Sequence, residues 1–155
     1  MRQVSIFLGV CALACAFRVS SQEVSSQEIH SHPPPEKLGT VSFPTSCAPS
    51  VAPDFQRSVA LLHSFAYGAS EQSFRKVAAA DPTCAMAHWG IAMSYYHQLW
   101  SPPGPKELRD GQNEIEQAGH LNGGSPREKG FITATTAYFT DSDHVAPQVR
   151  AKAYA

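Results

Sequence analysis

The sequence predicts an all-α fold of antiparallel helix pairs, and three observations carry that prediction. From Pro53 onward apolar residues recur at spacings of three and four, the period of an amphipathic helix. Glycine, proline or an Asp-Pro pair closes each of the first four stretches, so these helices are short. Small and aromatic residues return at corresponding places in successive pairs, as helices packed closely side by side require.

The first element is not part of that fold. Arg2 precedes an apolar run over residues 4–17, about 14 residues, which suits a secretory signal and is too short to cross a bilayer comfortably. Ser20 and Ser21 suit cleavage, so residues 1–21 read as a signal peptide and predict an exported protein, periplasmic or extracellular. A buried helix at the start is the other reading; the polar stretch that follows argues against it. A lipid anchor at Cys15 is the one route to a membrane, and Ala12 stands where its signal needs leucine.

Residues 22–52 form an irregular, proline-rich leader. Prolines 33–35 follow His30 and His32 and favour polyproline II over helix. Residues 38–43 suit a short extended piece. Pro44, Pro49 and Pro53 keep helix from starting before about residue 53.

Residues 53–155 hold the helices. Phe55, Val59, Leu62, Phe65 and Ala66 share one face of the first, and Tyr67 with Gly68 marks its break. The second covers 70–80, with Phe74, Val77 and Ala78 facing one way, and Asp81-Pro82 stops it. The third covers 85–99, with a stripe through Trp89, Ala92, Met93 and Tyr96. Residues 100–105 are an obligatory loop. The fourth covers 106–121, weakened by Gly111 and Gly119 at about 1 kcal/mol each relative to alanine. Asn122, Gly123 and Gly124 end it. The fifth starts on a capping box, Ser125 with Glu128, and has Pro126 at its first position. It runs to about Thr140. Asp141, Ser142 and Asp143 make a turn. A sixth helix begins near 145–148 and reaches Ala155 with no stop signal, which predicts that the natural chain continues.

The helices follow a known repeat pattern. A unit of about 34 residues opens on W-x2-L-G-x2-Y and closes on A-x3-F and then P. His88, Ile91, Ala92 and Tyr95 match the opening, and Ser70, Phe74 and Pro82 match the close. Stepping back about 34 residues lands on Ser58 and Leu61 in the first helix. Ser58, Ser70 and Ala92 would let paired helices approach, with Phe74 and Tyr95 filling the space beside them. On these residues the chain resembles tetratricopeptide repeat proteins. The segment Asp81-Pro82-x-Cys84-Ala85-Met86-Ala87-His88-Trp89-Gly90 is similar to one exported bacterial group of undefined role. The resemblance covers about residues 36–155 and implies a helical solenoid that binds a protein or peptide in a groove. That groove would include His63 and His88, with Trp100 beside the proline loop as a further contact. The departures are His88 in place of tryptophan, the inserted loop at 97–105 and a degenerate first opening.

Composition excludes other classes. Twelve basic against thirteen acidic residues give a net charge of −1, with no clustered basic face for nucleic acid and no polybasic run for a membrane surface. Cys47 and Cys84 are the cysteines outside the signal. In an oxidising compartment an even pair reads as a disulfide; the other reading is two small buried residues. Each precedes a helix start, and alternate helices of a solenoid are parallel, so the starts can share an edge. Such a bridge closes about 36 residues and stabilises by about 3–4 kcal/mol in the entropic treatment.

No candidate chemistry outlasts its plainer reading. His30 and His32 read as solvated linker residues before weak metal ligands. His88 and His97 lie about 180° apart around a helix and cannot share a metal. Asp141, Asp143 and His144 lack the later glycine and glutamate of a calcium loop. Cys84 has no base beside it, and Gly123-Gly124 carries no phosphate-loop pattern. The expectation is an interaction scaffold with no cofactor and no catalysis. The alternative is the helical part of a longer secreted enzyme or metal-binding protein whose active domain lies beyond Ala155.

Overall fold

The computed structural model describes residues 37–97, 101–121 and 124–155. Residues 1–21, expected to be a signal peptide, with Cys15 among them, and His30, His32 and Trp100 lie outside the described residues. A single 3-10 turn, Pro49–Val51, leads into α1 (Ala52–His63). Then come α2 (Tyr67–Ala80), α3 (Ala85–Tyr95), α4 (Pro105–His120), α5 (Pro126–Phe139) and α6 (Pro147–Tyr154). Among the described residues there is no strand, and the protein is all-α as its periodicity predicts. No described helix is long and apolar enough to cross a membrane.

Each helix packs chiefly on its neighbours in sequence, and α3 also touches both α1 and α5. So α1, α3 and α5 meet along one side, with α3 in the middle. The core holds Phe55, Phe74, Met86, Ile91, Ile115, Tyr138 and Phe139, all fully buried. Proline stands in the first turn of α1, α4, α5 and α6, where its missing N–H would have had no intrahelical partner.

The expected repeat-packing residues mostly line these contacts. Ser58 and Ser70 are completely buried where α1 meets α2, and the Ser70 hydroxyl donates to the Ser58 carbonyl oxygen at 3.1 Å. Leu61, Phe74, Ile91 and Ala92 are buried. Pro82 is exposed and acts as a stop, while Tyr95 is half-buried and reaches a polar cluster. Phe74 lies against Gly90 so closely that a Cβ there would stand 2.4 Å from its ring. Phe139 does the same at Gly111, at 2.2 Å. Gly111, which by propensity only weakens α4, is the residue that lets Phe139 reach full burial.

Two boundaries differ from the sequence reading. The break after α1 falls at residues 64–66, and Tyr67 and Gly68 open α2. Phe65 occupies the left-handed position, with φ 59°. The Phe65 and Ala66 N–H groups return to the Leu62 and Leu61 carbonyls, a Schellman ending that ordinarily uses glycine. The helix α3 stops at Tyr95, short of residue 99. Tyr96 leaves the helix and packs edge-on against Tyr138 at 4.4 Å, with Tyr154 at 4.6 Å. Burial of that ring against α5 and α6 outweighs one more helical turn.

Candidate functional site

The residues with the most distinctive environment lie where the leader crosses the starts of α1, α3 and α5. From Val41 to Ser46 exposure alternates: Val41, Phe43 and Thr45 turn inward, Ser42, Pro44 and Ser46 outward. That period of two is an extended backbone lying on a surface. It agrees with the expected extended piece, although no strand partner is present among the described residues.

Phe43 is the anchor of this strap. Its ring lies 5.8 Å from Phe55 of α1, 5.6 Å from Trp89 of α3 and 5.6 Å from Phe131 of α5. Phe55 is the fourth residue of α1, Trp89 the fifth of α3 and Phe131 the sixth of α5, so one side chain joins the N-terminal halves of three helices. Arg127 covers the outside, its guanidinium 4.4 Å from the Phe43 ring centre and 4.9 Å from that of Phe131. It also donates to the Pro44 carbonyl oxygen at 3.2 Å. The Trp89 indole N–H is used inside the fold, donating to Thr135 Oγ1 at 3.1 Å.

Three consecutive residues then tie the strap down. The Ser46 N–H and hydroxyl donate to Glu128 Oε1 at 2.8 and 3.2 Å. Cys47 is joined to Cys84 in a disulfide, the pairing that the cysteine count suggested. The Ala48 N–H donates to Asp81 Oδ2 at 2.7 Å. Both carboxylates also work locally. Glu128 Oε2 accepts from Ser125 N–H at 2.6 Å, while Ser125 Oγ accepts from Glu128 N–H at 3.3 Å, completing the expected capping box. Asp81 Oδ1 accepts from the Thr83 N–H and hydroxyl.

The protonation of both carboxyls follows from these bonds. The Ala48 N–H, then the Thr83 hydroxyl, hold Asp81 below its ordinary value. Burial pushes Glu128 upward, and the N–H groups of Ser125 and Ser46 outweigh it, leaving it lowered. Sequence reading placed Glu128 in the cap and Asp81 at a helix stop. It missed the second oxygen of each, because the leader's course over the helix starts is a tertiary fact.

Cys47, Asp81 and Cys84 bring their side-chain donor atoms within 4.8 Å of one another, a grouping of metal-ligand types. Both sulfurs are spent in the disulfide and offer no thiolate to a metal.

Of the residues expected to line a groove, His63 and His88 are described, and neither is among the residues that hold the strap. His88 faces α4, its Nδ1 2.8 Å from Glu114 Oε2. Arg75 of α2 donates to Glu71, to Glu114 at 2.8 Å and to the Tyr95 hydroxyl oxygen, while that hydroxyl donates to Glu71. This gives a five-member cluster spanning α2, α3 and α4. Burial raises Glu114, and His88 and Arg75 outweigh it. Burial, then Glu71, raises Tyr95, so it stays a neutral phenol at physiological pH. His63 is exposed in the last turn of α1. No hydrogen bond or ion pair links it to His88 among the described residues.

A crevice of about 250 Å³ opens between the strap and α1, lined by residues 38–41 with Gln56, Arg57 and Ala60. Comparison with known families, with characterised proteins and with solved structures finds no match to this chain.

Proposed function

We propose that this chain is an exported helical scaffold of the tetratricopeptide type, which holds an extended protein segment across the starts of α1, α3 and α5 and catalyses nothing itself. One observation carries the reading: the α1, α3 and α5 starts already hold residues 41–48, extended as far as Thr45 and bent at Ser46 and Cys47, through an aromatic anchor and backbone N–H groups. A surface that binds extended backbone in this way reads main chain for affinity and alternate side chains for selectivity. The mutual contact of α1, α3 and α5 supports a stack of helix pairs, whose first helices share one face. The disulfide is compatible with an oxidising compartment and so supports export.

The reading is tested by selecting a displayed library of unstructured peptides on the purified protein, once oxidised and once reduced. Enrichment of extended sequences carrying an aromatic residue is expected in at least one state. No enrichment in either state, a stoichiometric bound metal or a measured turnover would end it.

A further inference from the structure

The strap is held as a ligand would be held, and its sequence states what such a ligand must offer. We propose that the surface at the starts of α1, α3 and α5 accepts, in trans, an extended peptide with an aromatic anchor. The chain's own residues 41–48 occupy that surface in cis, and the Cys47–Cys84 bond decides whether they can be displaced. This deepens the scaffold reading and rests on it.

The argument starts from what each contact requires. The ring position between Phe55, Trp89 and Phe131 needs a flat apolar side chain, and Arg127 above it favours an aromatic face over an aliphatic one. Glu128 Oε1 and Asp81 Oδ2 need N–H donors, which any backbone supplies. No acidic side chain of the strap takes part, and an acidic ligand residue beside Glu128 or Asp81 would be repelled. The partner chemistry is therefore a neutral or basic extended segment with Phe, Tyr or Trp about three residues before its N–H donor.

The covalent bond supplies the control. A tethered segment competes with a free peptide at an effective concentration in the millimolar range, which few peptides overcome. With Cys47 joined to Cys84 the strap cannot leave even when Phe43 swings out. A dithiol reductant breaks the S–S bond by passing it two electrons and two protons. Cys47 and Cys84 become thiols, and the reductant closes to its own disulfide. The strap is then held by its backbone join to α1, by Phe43, by Arg127 on the Pro44 carbonyl oxygen and by the two carboxylates, with no covalent bond at Cys47, and exchange with a free peptide becomes possible.

The test uses the whole mature chain and a fluorescent peptide copying residues 38–48 with serine at the Cys47 position. Anisotropy should show binding to reduced protein, and to Cys47→Ser without reductant, about tenfold or more tighter than to oxidised protein. A peptide with Phe43→Ala should lose that binding. Amide exchange at Ser46 and Ala48 should quicken on reduction, which checks strap release in the wild-type chain if Cys47→Ser folds poorly.

Equal binding to both redox states overturns the control by the disulfide but leaves the scaffold reading standing. Failure to bind in either state, with the helical spectrum intact and the two amides freely exchanging, overturns the site itself. Conversion of reduced protein to a dimer that excludes the peptide also overturns it, since the occupant is then a second copy.

Discussion

Two regions of this molecule use carboxylates to join helices, and they do so by opposite means. At the starts of α3 and α5, Asp81 and Glu128 are buried and accept from backbone N–H groups. Across α2, α3 and α4, Glu71 and Glu114 face water in part and pair with Arg75 and His88. A buried acceptor that loses its charge leaves several N–H groups without a strong partner, at about 1–3 kcal/mol each. A half-exposed ion pair loses little, because water and salt replace the partner. The strap region should therefore be rigid and acid-sensitive, while the α2–α4 cluster should be soft and salt-sensitive.

The largest expected effect comes from the covalent member of the strap. Replacing Cys47 and Cys84 together by serine should lower stability by about 3–4 kcal/mol, since the bridge closes a separation of 37 residues. Denaturant unfolding of oxidised wild type and variant checks this. A loss under about 1 kcal/mol would mean that the noncovalent contacts alone hold the strap, and the contrast between the regions would narrow.

Next in size is the carboxylate that serves both cap and strap. Glu128→Gln should destabilise by about 1–3 kcal/mol, because Ser46 and Ser125 would compete for one neutral oxygen. Its pH dependence has a definite sign. Asp81 and Glu128 titrate below the ordinary carboxyl range in the folded state. A carboxyl lowered on folding stabilises fully above its unfolded value and loses that stabilisation as pH falls through the folded one. The melting temperature should thus be level near neutrality and fall once pH drops past about 4.5. Asp81→Asn and Glu128→Gln should each flatten that fall. An unchanged acid limb in both variants would remove the distinction between the regions.

The smallest effect sharpens the other side. Arg75→Ala removes the centre of the five-member cluster, yet its side chain is 46% exposed, so the loss should stay within about 1 kcal/mol. Raising salt should shrink the difference between wild type and variant. A loss above about 2 kcal/mol that ignores salt would make this cluster a second rigid clamp.

Much of the framework was legible beforehand, for local reasons. The Ser125 and Glu128 box, the proline starts at Pro53 and Pro126 and the Asp81-Pro82 stop all act within a few residues, and each stands where the sequence placed it. The candidate site was legible only in part. Cys47 with Cys84 was visible as an even pair, whereas the strap contacts of Phe43 and of the second oxygens of Asp81 and Glu128 carried no local signal. Their partners are separated from them by 82 positions at Ser46 and 33 at Ala48. His88 looked like a groove residue on helical spacing, but spacing assigns a face without saying which helix will lie against it.

By itself the sequence determined the all-α class, the Ser125–Glu128 cap and the Asp81-Pro82 stop, because these are set by local backbone chemistry and hydrophobic period. Only the tertiary structure decided where α1 and α3 end and why Gly111 is needed beneath Phe139. It also decided that the leader, irregular by composition, fills the space between three helix starts. Those choices depend on which surfaces meet: Tyr96 packs on Tyr138 and Tyr154 just past the end of α3, and Phe43 on Phe55, Trp89 and Phe131, contacts that no local preference names.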